Sequence, residues 1–275
     1  METTQQTHPG TGFAGRSALV IGGSRGLGRA VALALAREGC RVLAAGRNAA
    51  ALRRVREEAS VRGLSIAVAR GDAARAGVAA RLVRAAAALP AGDGGGRARG
   101  RGGRGRGGRG RAGPDILVHA AGDYWEGPFA ALTPDRWESL VRSNVTSALA
   151  AMQAVLPGMR RRRFGRVLLF GVAGADAPRA AGRAHAYRAA KIALLTLARS
   201  VAQEEAEHGI TVNLILPGVI QAPGLPAAWA AAAGRIPARR LGTPGEIARA
   251  ALFLLAEESG YITGSALHVS GGYLL

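Results

Sequence analysis

Ser17 to Arg47 reads "SALVIGGSRGLGRAVALALAREGCRVLAAGR". An apolar run, "SALVI", is followed by three glycines, Gly22, Gly26 and Gly28, and then by a helix-forming stretch from about Arg29 to Glu38. A second apolar run, "RVLAAG", closes the segment. The order is strand, glycine-rich turn, helix, strand. Such a unit serves anion binding, because glycine lets the backbone come close to a pyrophosphate and the helix start offers unpaired N–H groups. The spacing is G-x-x-x-G-x-G, one residue longer than the common dinucleotide fingerprint, so the turn gains its meaning from its place in an alternating chain.

Outward from this unit the alternation continues. A helix is expected from about Asn48 to Arg62, a strand in "LSIAVARGD" ending at Asp72, and a helix running to about Leu89. Strands follow in "PDILVHAAG", "RVLLF", "TVNLILPG" and "SALHV", separated by a long helix over Asp135–Arg162, a helix over His185–Glu207 and one from Pro244 to about Glu257. Strands alternating with helices of this length predict an α/β fold, a Rossmann-type doubly wound parallel sheet with helices on both faces, in a single domain. The polar residues 1–12 are expected to be a flexible N-terminus and residues 13–275 the domain.

Between the third helix and the fourth strand lies "AGDGGGRARGRGGRGRGGRGRAG", residues 91–113, with 12 glycines among 23 residues and no apolar periodicity. It is expected to be a disordered insert. Its seven arginines and one aspartate contribute +6 of the formal charge of +19. The remainder still favours an anionic ligand, either a phosphorylated cofactor or nucleic acid. The insert has no interleaved aromatic residue for base stacking, so a tolerated surface expansion is the preferred reading over nucleic-acid binding.

The 275 residues are 48% apolar, enough for a full core. The lone cysteine, Cys40, excludes a disulfide framework. Neither a signal peptide nor a membrane span is visible, so a cytoplasmic protein is expected, and no metal site is expected.

The second strand ends in Ala45, Gly46 and Arg47, with no carboxylate to bind ribose hydroxyls. Arg47 and Arg25 are placed to pair with a 2'-phosphate, which points to NADP(H), unless both are solvated surface groups. Asp72 is placed for the adenine amino group. Tyr187 and Lys191 are four apart and share a helix face after the fifth strand. The lysine ammonium is expected to lower the phenol's pKa, so that Tyr187 can protonate a carbonyl oxygen.

With these motifs in place, the chain resembles the classical short-chain dehydrogenase/reductase family, in particular the β-ketoacyl carrier-protein reductases and polyketide ketoreductases. "GGSRGLG" is similar to the family's cofactor turn, "ILVHAAG" to its N-N-A-G stretch with His119 and Ala120 replacing the asparagines, and "YRAAK" to its Y-x-x-x-K pair. Asn144 in "RSNVTSA", the "LPG" turn at Leu216–Gly218 and the segment Gly242–Gly272 complete the match. The resemblance implies catalytic roles for Tyr187, Lys191 and Asn144. It implies cofactor contacts from Gly22, Ser24, Arg25, Gly26, Leu27, Gly28, Arg47, Asp72, Ala121, Gly122, Tyr187, Lys191, Pro217, Gly218 and Val219. It also implies a homo-oligomer, a dimer or tetramer.

The chain departs from the family in two respects that bear on chemistry, the first being Ala222 where a threonine usually follows the P-G turn and contacts the cofactor amide. The family places a serine hydroxyl near the end of the fifth strand, and here Gly171 or Val172 falls there. No serine or threonine lies between Ala148 and Leu195. His185, Asp176 and His119 are the candidates to replace it. Tyr124, Trp125, Phe129, Val172, Leu225 and Trp229 are the expected pocket walls, and the aromatic ones favour a hydrophobic or aromatic, polyketide-like ketone unless they serve as ordinary core or subunit contacts. The expected function is an NADP(H)-dependent oxidoreductase, with a non-catalytic nucleotide-binding subunit as the alternative.

Overall fold

In the computed structural model, the structure describes residues 12–90, 113–177, 180, 182–225 and 231–274. Segment 1–11, residues 91–112 of the Gly/Arg stretch and Trp229 lie outside the described residues. The expectations of a flexible N-terminus and a disordered insert therefore fall almost wholly on residues outside this description.

Seven strands form one parallel sheet: β1 Ser17–Ile21, β2 Arg41–Gly46, β3 Ile66–Arg70, β4 Ile116–His119, β5 Gly165–Phe170, β6 Ile210–Pro217 and β7 Ala266–Val269. Their order is β3-β2-β1-β4-β5-β6-β7. Parallel strands need crossovers, and helices supply them: α1 Gly26–Arg37, α2 Ala49–Val61, α3 Val78–Ala87, α4 Pro134–Val141, α5 Ser147–Arg162, α6 His185–Glu205 and α7 Pro244–Leu255.

Side chains alternate across each strand, which sorts β1 between two cores. Leu19 and Ile21 join Leu82, Met152, Val155 and Leu194 on the face covered by α3, α5 and α6. Ala18 and Val20 join Val31, Leu35, Leu52 and Leu254 on the face covered by α1, α2 and α7. With both faces covered, the central strands read as continuous apolar runs, which is why they are conspicuous in the sequence.

Local chemistry sets the helix starts. Asn48 Oδ1 accepts from the Ala51 N–H at 3.0 Å and caps α2. At α7, Thr243 and Glu246 form a reciprocal capping box and Pro244 occupies the first turn. The carboxylate of Glu246, bonded to Arg240 and the Thr243 backbone, is held down at about 2.

The long helix expected over Asp135–Arg162 is interrupted. A π-helical turn, Arg142–Thr146, separates α4 from α5. Asn144 Nδ2 donates to the Leu140 carbonyl at 3.0 Å, four residues back, and to the Asp123 carbonyl at 2.9 Å. A side chain that competes for a helix carbonyl in this way widens the turn locally.

The strand order places the site. From β1 the chain winds outward to β2 and β3, then crosses back and winds outward again from β4 to β7. β1 and β4 pair directly, with Ile21 opposite His119, and their crossovers leave in opposite directions. A crevice opens at the carboxyl ends of these two strands.

Candidate active site

Into that crevice open the glycine-rich turn, the ends of β2, β3 and β4, and the N-terminal half of α6, around a cleft of about 500 Å³. Gly22 has φ +83°, and a Cβ there would lie 2.6 Å from the Ala120 carbonyl carbon, so only glycine fits. Gly26 has φ +55° and open space above it, where a ligand can approach the backbone. α1 begins here with no side-chain cap and no acidic residue in its first turn, so its end N–H groups and positive dipole face the cleft. Gly28 lies behind, packed against Gly22.

Of the residues the sequence indicated for a cofactor, Gly22, Ser24, Arg25, Gly26, Leu27, Arg47, Asp72, Ala121, Gly122, Tyr187, Lys191 and Pro217 line this cleft. Gly218 and Val219 face instead a second cavity of about 490 Å³ that adjoins the first at Gly171, Tyr187 and Pro217. The donor set is an uncapped helix end, two arginines and a carboxylate at the end of β3. It suits a phosphorylated dinucleotide, with the pyrophosphate at the helix end and Arg25 and Arg47 available to a further phosphate.

Tyr187 stands at the junction of the two cavities. Its ring meets Tyr124 edge-on, with centroids 5.0 Å apart, and the Lys191 ammonium lies 5.5 Å from its ring centroid. Lys191 is fully enclosed and donates from Nζ to the Phe170 carbonyl at 2.7 Å, which anchors it under the end of β5.

The electrostatics correct the expected tuning of the phenol. Burial pushes Tyr187 up to about 12 and pulls Lys191 down to about 8. Desolvation disfavours the charged form of each group, so Tyr187 keeps its proton at neutral pH. That is the form a proton donor needs.

The lysine carries a pH prediction. Below about 8 the ammonium is charged and above it the amine is neutral, so kcat/KM for carbonyl reduction should fall as pH rises through that value. A rate profile flat to pH 10 would show that the charge is not used.

None of the three residues expected to replace the family's serine lines the second cavity. His119, 1% exposed, sits on β4 between Ile21 and Leu169, with Nε2 2.8 Å from Ser147 Oγ. Burial, with Lys191 nearby, drives it down to about 3, so it is a neutral internal group. Asp176 turns away to His268 on β7 at 2.8 Å, and that partner lowers its pKa. His185 packs edge-on to Trp125 and at a tilt to Phe129, with centroids 5.7 and 5.6 Å away.

The expected pocket walls divide in the same way. Tyr124, Val172 and Leu225 line the second cavity together with Ile220 and Tyr273. Trp125 and Phe129 do not, because they pack on His185, and Phe129 is 79% exposed. Asn144 lines neither cavity. It is wholly buried and clamps the Asp123 carbonyl, while its Oδ1 faces Gly122 without a hydrogen-bond partner among the described residues.

Sequence reading missed Ser143, Ser147 and Asp123 as cleft residues. Asp123 directly follows Gly122, and Ser143 and Ser147 share a helix face, so the signal for all three was proximity to residues already singled out. Among the described residues no group of three or more His, Cys, Asp or Glu gathers as a metal site, and no helix is long and apolar enough to cross a membrane.

A parallel sheet with a phosphate-accepting turn, beside a tyrosine and lysine at its carboxyl edge, defines a dinucleotide-dependent oxidoreductase class, and the comparisons name the family. Residues 16–90 match the family described as short chain dehydrogenase, and residues 110–274 match Enoyl-(Acyl carrier protein) reductase. The chain belongs to the short-chain dehydrogenase/reductase family. It is 31% identical over 265 residues to the 3-oxoacyl-[acyl-carrier-protein] reductase FabG of Salmonella typhimurium, covering 94% of this chain and 98% of that protein. It is 33% identical over 265 residues to the acetoacetyl-CoA reductase of Shinella zoogloeoides, covering 94% and 98%. A crystal structure of 3-oxoacyl (acyl-carrier-protein) reductase from Agrobacterium tumefaciens C58 with NADP bound superposes with a TM-score of 0.81 at 28% identity, covering 98% of this chain and 99% of that one.

Proposed function

We propose that the protein is an NADP(H)-dependent ketoreductase acting on a β-ketoacyl thioester. The single observation that carries this reading is the placement of a proton-bearing Tyr187 where the dinucleotide-shaped cleft meets a separate, largely apolar cavity. FabG-like and acetoacetyl-CoA reductase relatives support the substrate class, and the NADP-bound neighbour supports the cofactor.

NADPH bound in the cleft would supply the hydride to the carbonyl carbon. Tyr187 donates its proton to the carbonyl oxygen as negative charge develops there. An alkoxide is far more basic than a phenolate, so the transfer runs downhill even from a phenol raised by burial. Lys191, fixed by Phe170, holds positive charge beside the phenolate that remains and would bond the nicotinamide ribose of a bound cofactor. Asn144 holds the Gly122–Asp123 segment against the π-turn and so keeps the floor of the cleft in shape.

Gly171 and Val172, the two residues expected at the family's serine position, both line the second cavity, and on this reading carbonyl polarisation rests on Tyr187 with one donor fewer. The cavity walls are Val172, Ile220 and Leu225, with the expected aromatics Trp125 and Phe129 outside. Tyr124 and Tyr273 also line it, so the cavity offers both aliphatic and aromatic surface to an acyl chain.

The test is steady-state NADPH consumption by the purified full chain with acetoacetyl-CoA. Hydroxyacyl product formed in step with NADPH loss is expected. A protein that binds NADPH yet consumes none with this and a broader set of ketones would be the non-catalytic family member instead, an outcome to which the hydroxyl-free end of β5 lends weight.

A further inference from the structure

Arg47 and Asp123 form an ion pair across the mouth of the cofactor cleft. Arg47 Nη2 lies 2.6 Å from Asp123 Oδ1 and Nη1 3.3 Å from Oδ2, a bidentate arrangement. Arg47 follows β2 and Asp123 lies beyond β4, with β1 and its glycine-rich turn between them in the sheet, so the pair spans the turn. Both residues line the cleft, as do Arg25 and Asp72.

The two ends of the bridge are held differently. Asp123 is fixed through its backbone: its N–H donates to Ser143 Oγ at 3.2 Å and its carbonyl accepts from Asn144 at 2.9 Å. The Arg47 side chain is 59% exposed and has a long flexible stem. A carboxylate matches the guanidinium fork as a phosphate does, but with less charge.

We propose that Asp123 is an internal competitor for the 2'-phosphate and sets how tightly this protein holds NADP(H) relative to NAD(H). The inference rests on reading the cleft as a nicotinamide-dinucleotide site. In the free protein the carboxylate keeps Arg47 poised over the cleft. A cofactor bearing a 2'-phosphate must take the guanidinium from Asp123, and the displaced carboxylate then remains beside the phosphate and repels it. A cofactor without that phosphate leaves the bridge intact and meets no such opposition. Because the bridge is solvent-exposed, its net strength is small and the exchange is readily made. The competition therefore trims affinity without blocking binding.

The experiment titrates the full-length protein with NADPH and with NADH, following the fluorescence of the reduced nicotinamide. It compares wild type, Asp123→Asn, Arg47→Gln and the double variant. Asparagine keeps the shape of the side chain and removes its charge. Asp123→Asn is expected to tighten NADPH by about fivefold, the scale of one exposed ion pair, and to leave NADH unchanged. In the Arg47→Gln background the same change should have a much smaller effect on NADPH, because the competition is for Arg47. Equal loss of both cofactors in Asp123→Asn would make the aspartate a ribose or framework ligand and overturn the proposal. An undiminished gain in the Arg47→Gln background would reduce it to general charge repulsion and overturn it as well. Wild-type protein that binds neither nucleotide would overturn the cofactor reading itself, whereas the first two failures leave that reading standing.

Discussion

Tyr187→Phe is expected to lower kcat for ketone reduction by about 10²–10⁴-fold, the range associated with removal of a positioned general acid. NADPH binding should stay at the wild-type level. The phenyl ring retains the edge contact with Tyr124 at 5.0 Å and its place beside the Lys191 ammonium at 5.5 Å, so the substitution removes a proton and little else. The loss is expected to be large because the residues that follow β5 beside Tyr187 bring no second hydroxyl. Val172 and Ala173 carry none, Arg188 is engaged by the Ala173 and Gly174 carbonyls, and the nearest phenol, Tyr124, is bonded to Glu126 at 2.5 Å. Steady-state rates with acetoacetyl-CoA, together with an NADPH titration, check both halves. An unchanged kcat would remove Tyr187 from the chemistry.

The second large effect is a gain. Val172→Ser should raise kcat by about 10- to 100-fold with little change in NADPH affinity. Loss of one donor to a developing oxyanion costs about 10²–10³ in rate, and a grafted hydroxyl without refined surroundings recovers part of that. Val172 lines the second cavity beside Tyr187 and follows Gly171, whose N–H is tied to the Ile215 carbonyl at 2.9 Å, so the backbone that would present the new hydroxyl is fixed. Combining Val172→Ser with Tyr187→Phe should abolish most of the gain, since the two groups would act on one oxygen. A fall in kcat in the single variant, with the fold intact by circular dichroism, would place the carbonyl elsewhere.

Much of the architecture was legible because central strands buried on both faces stand out as unbroken apolar runs. β2, expected over Arg41–Gly46, forms over those residues, and α6, expected over His185–Glu207, ends at Glu205. The π-turn at Arg142–Thr146 was not legible, because it depends on where one amide, Asn144, finds its acceptors, and one of these is the distant Asp123 carbonyl. The cleft was readable from the glycines and from the Tyr187–Lys191 spacing, since helix periodicity alone brings those two side chains to one face. The proton affinities were not readable in the same way. The attraction between ammonium and phenolate can be inferred from spacing, whereas desolvation depends on how many distant elements close over the pair. The positions of the expected serine replacements, outside the second cavity, were hidden for a similar reason. Asp176 and His268 are 92 positions apart, and nothing near Asp176 in the sequence announces that bond. His185 was drawn to Trp125 and Phe129 by a loop whose path local patterns do not encode.

The most direct test is a single turnover. Protein preloaded with NADPH is mixed with excess acetoacetyl-CoA, and the decay of the reduced nicotinamide is followed in wild type and in Tyr187→Phe. Rapid decay in wild type, yielding hydroxyacyl product, and decay slowed by at least about 10²-fold in the variant is the predicted result. Equal decay in the two proteins, or none in wild type despite bound NADPH, would contradict a ketoreductase built on this phenol.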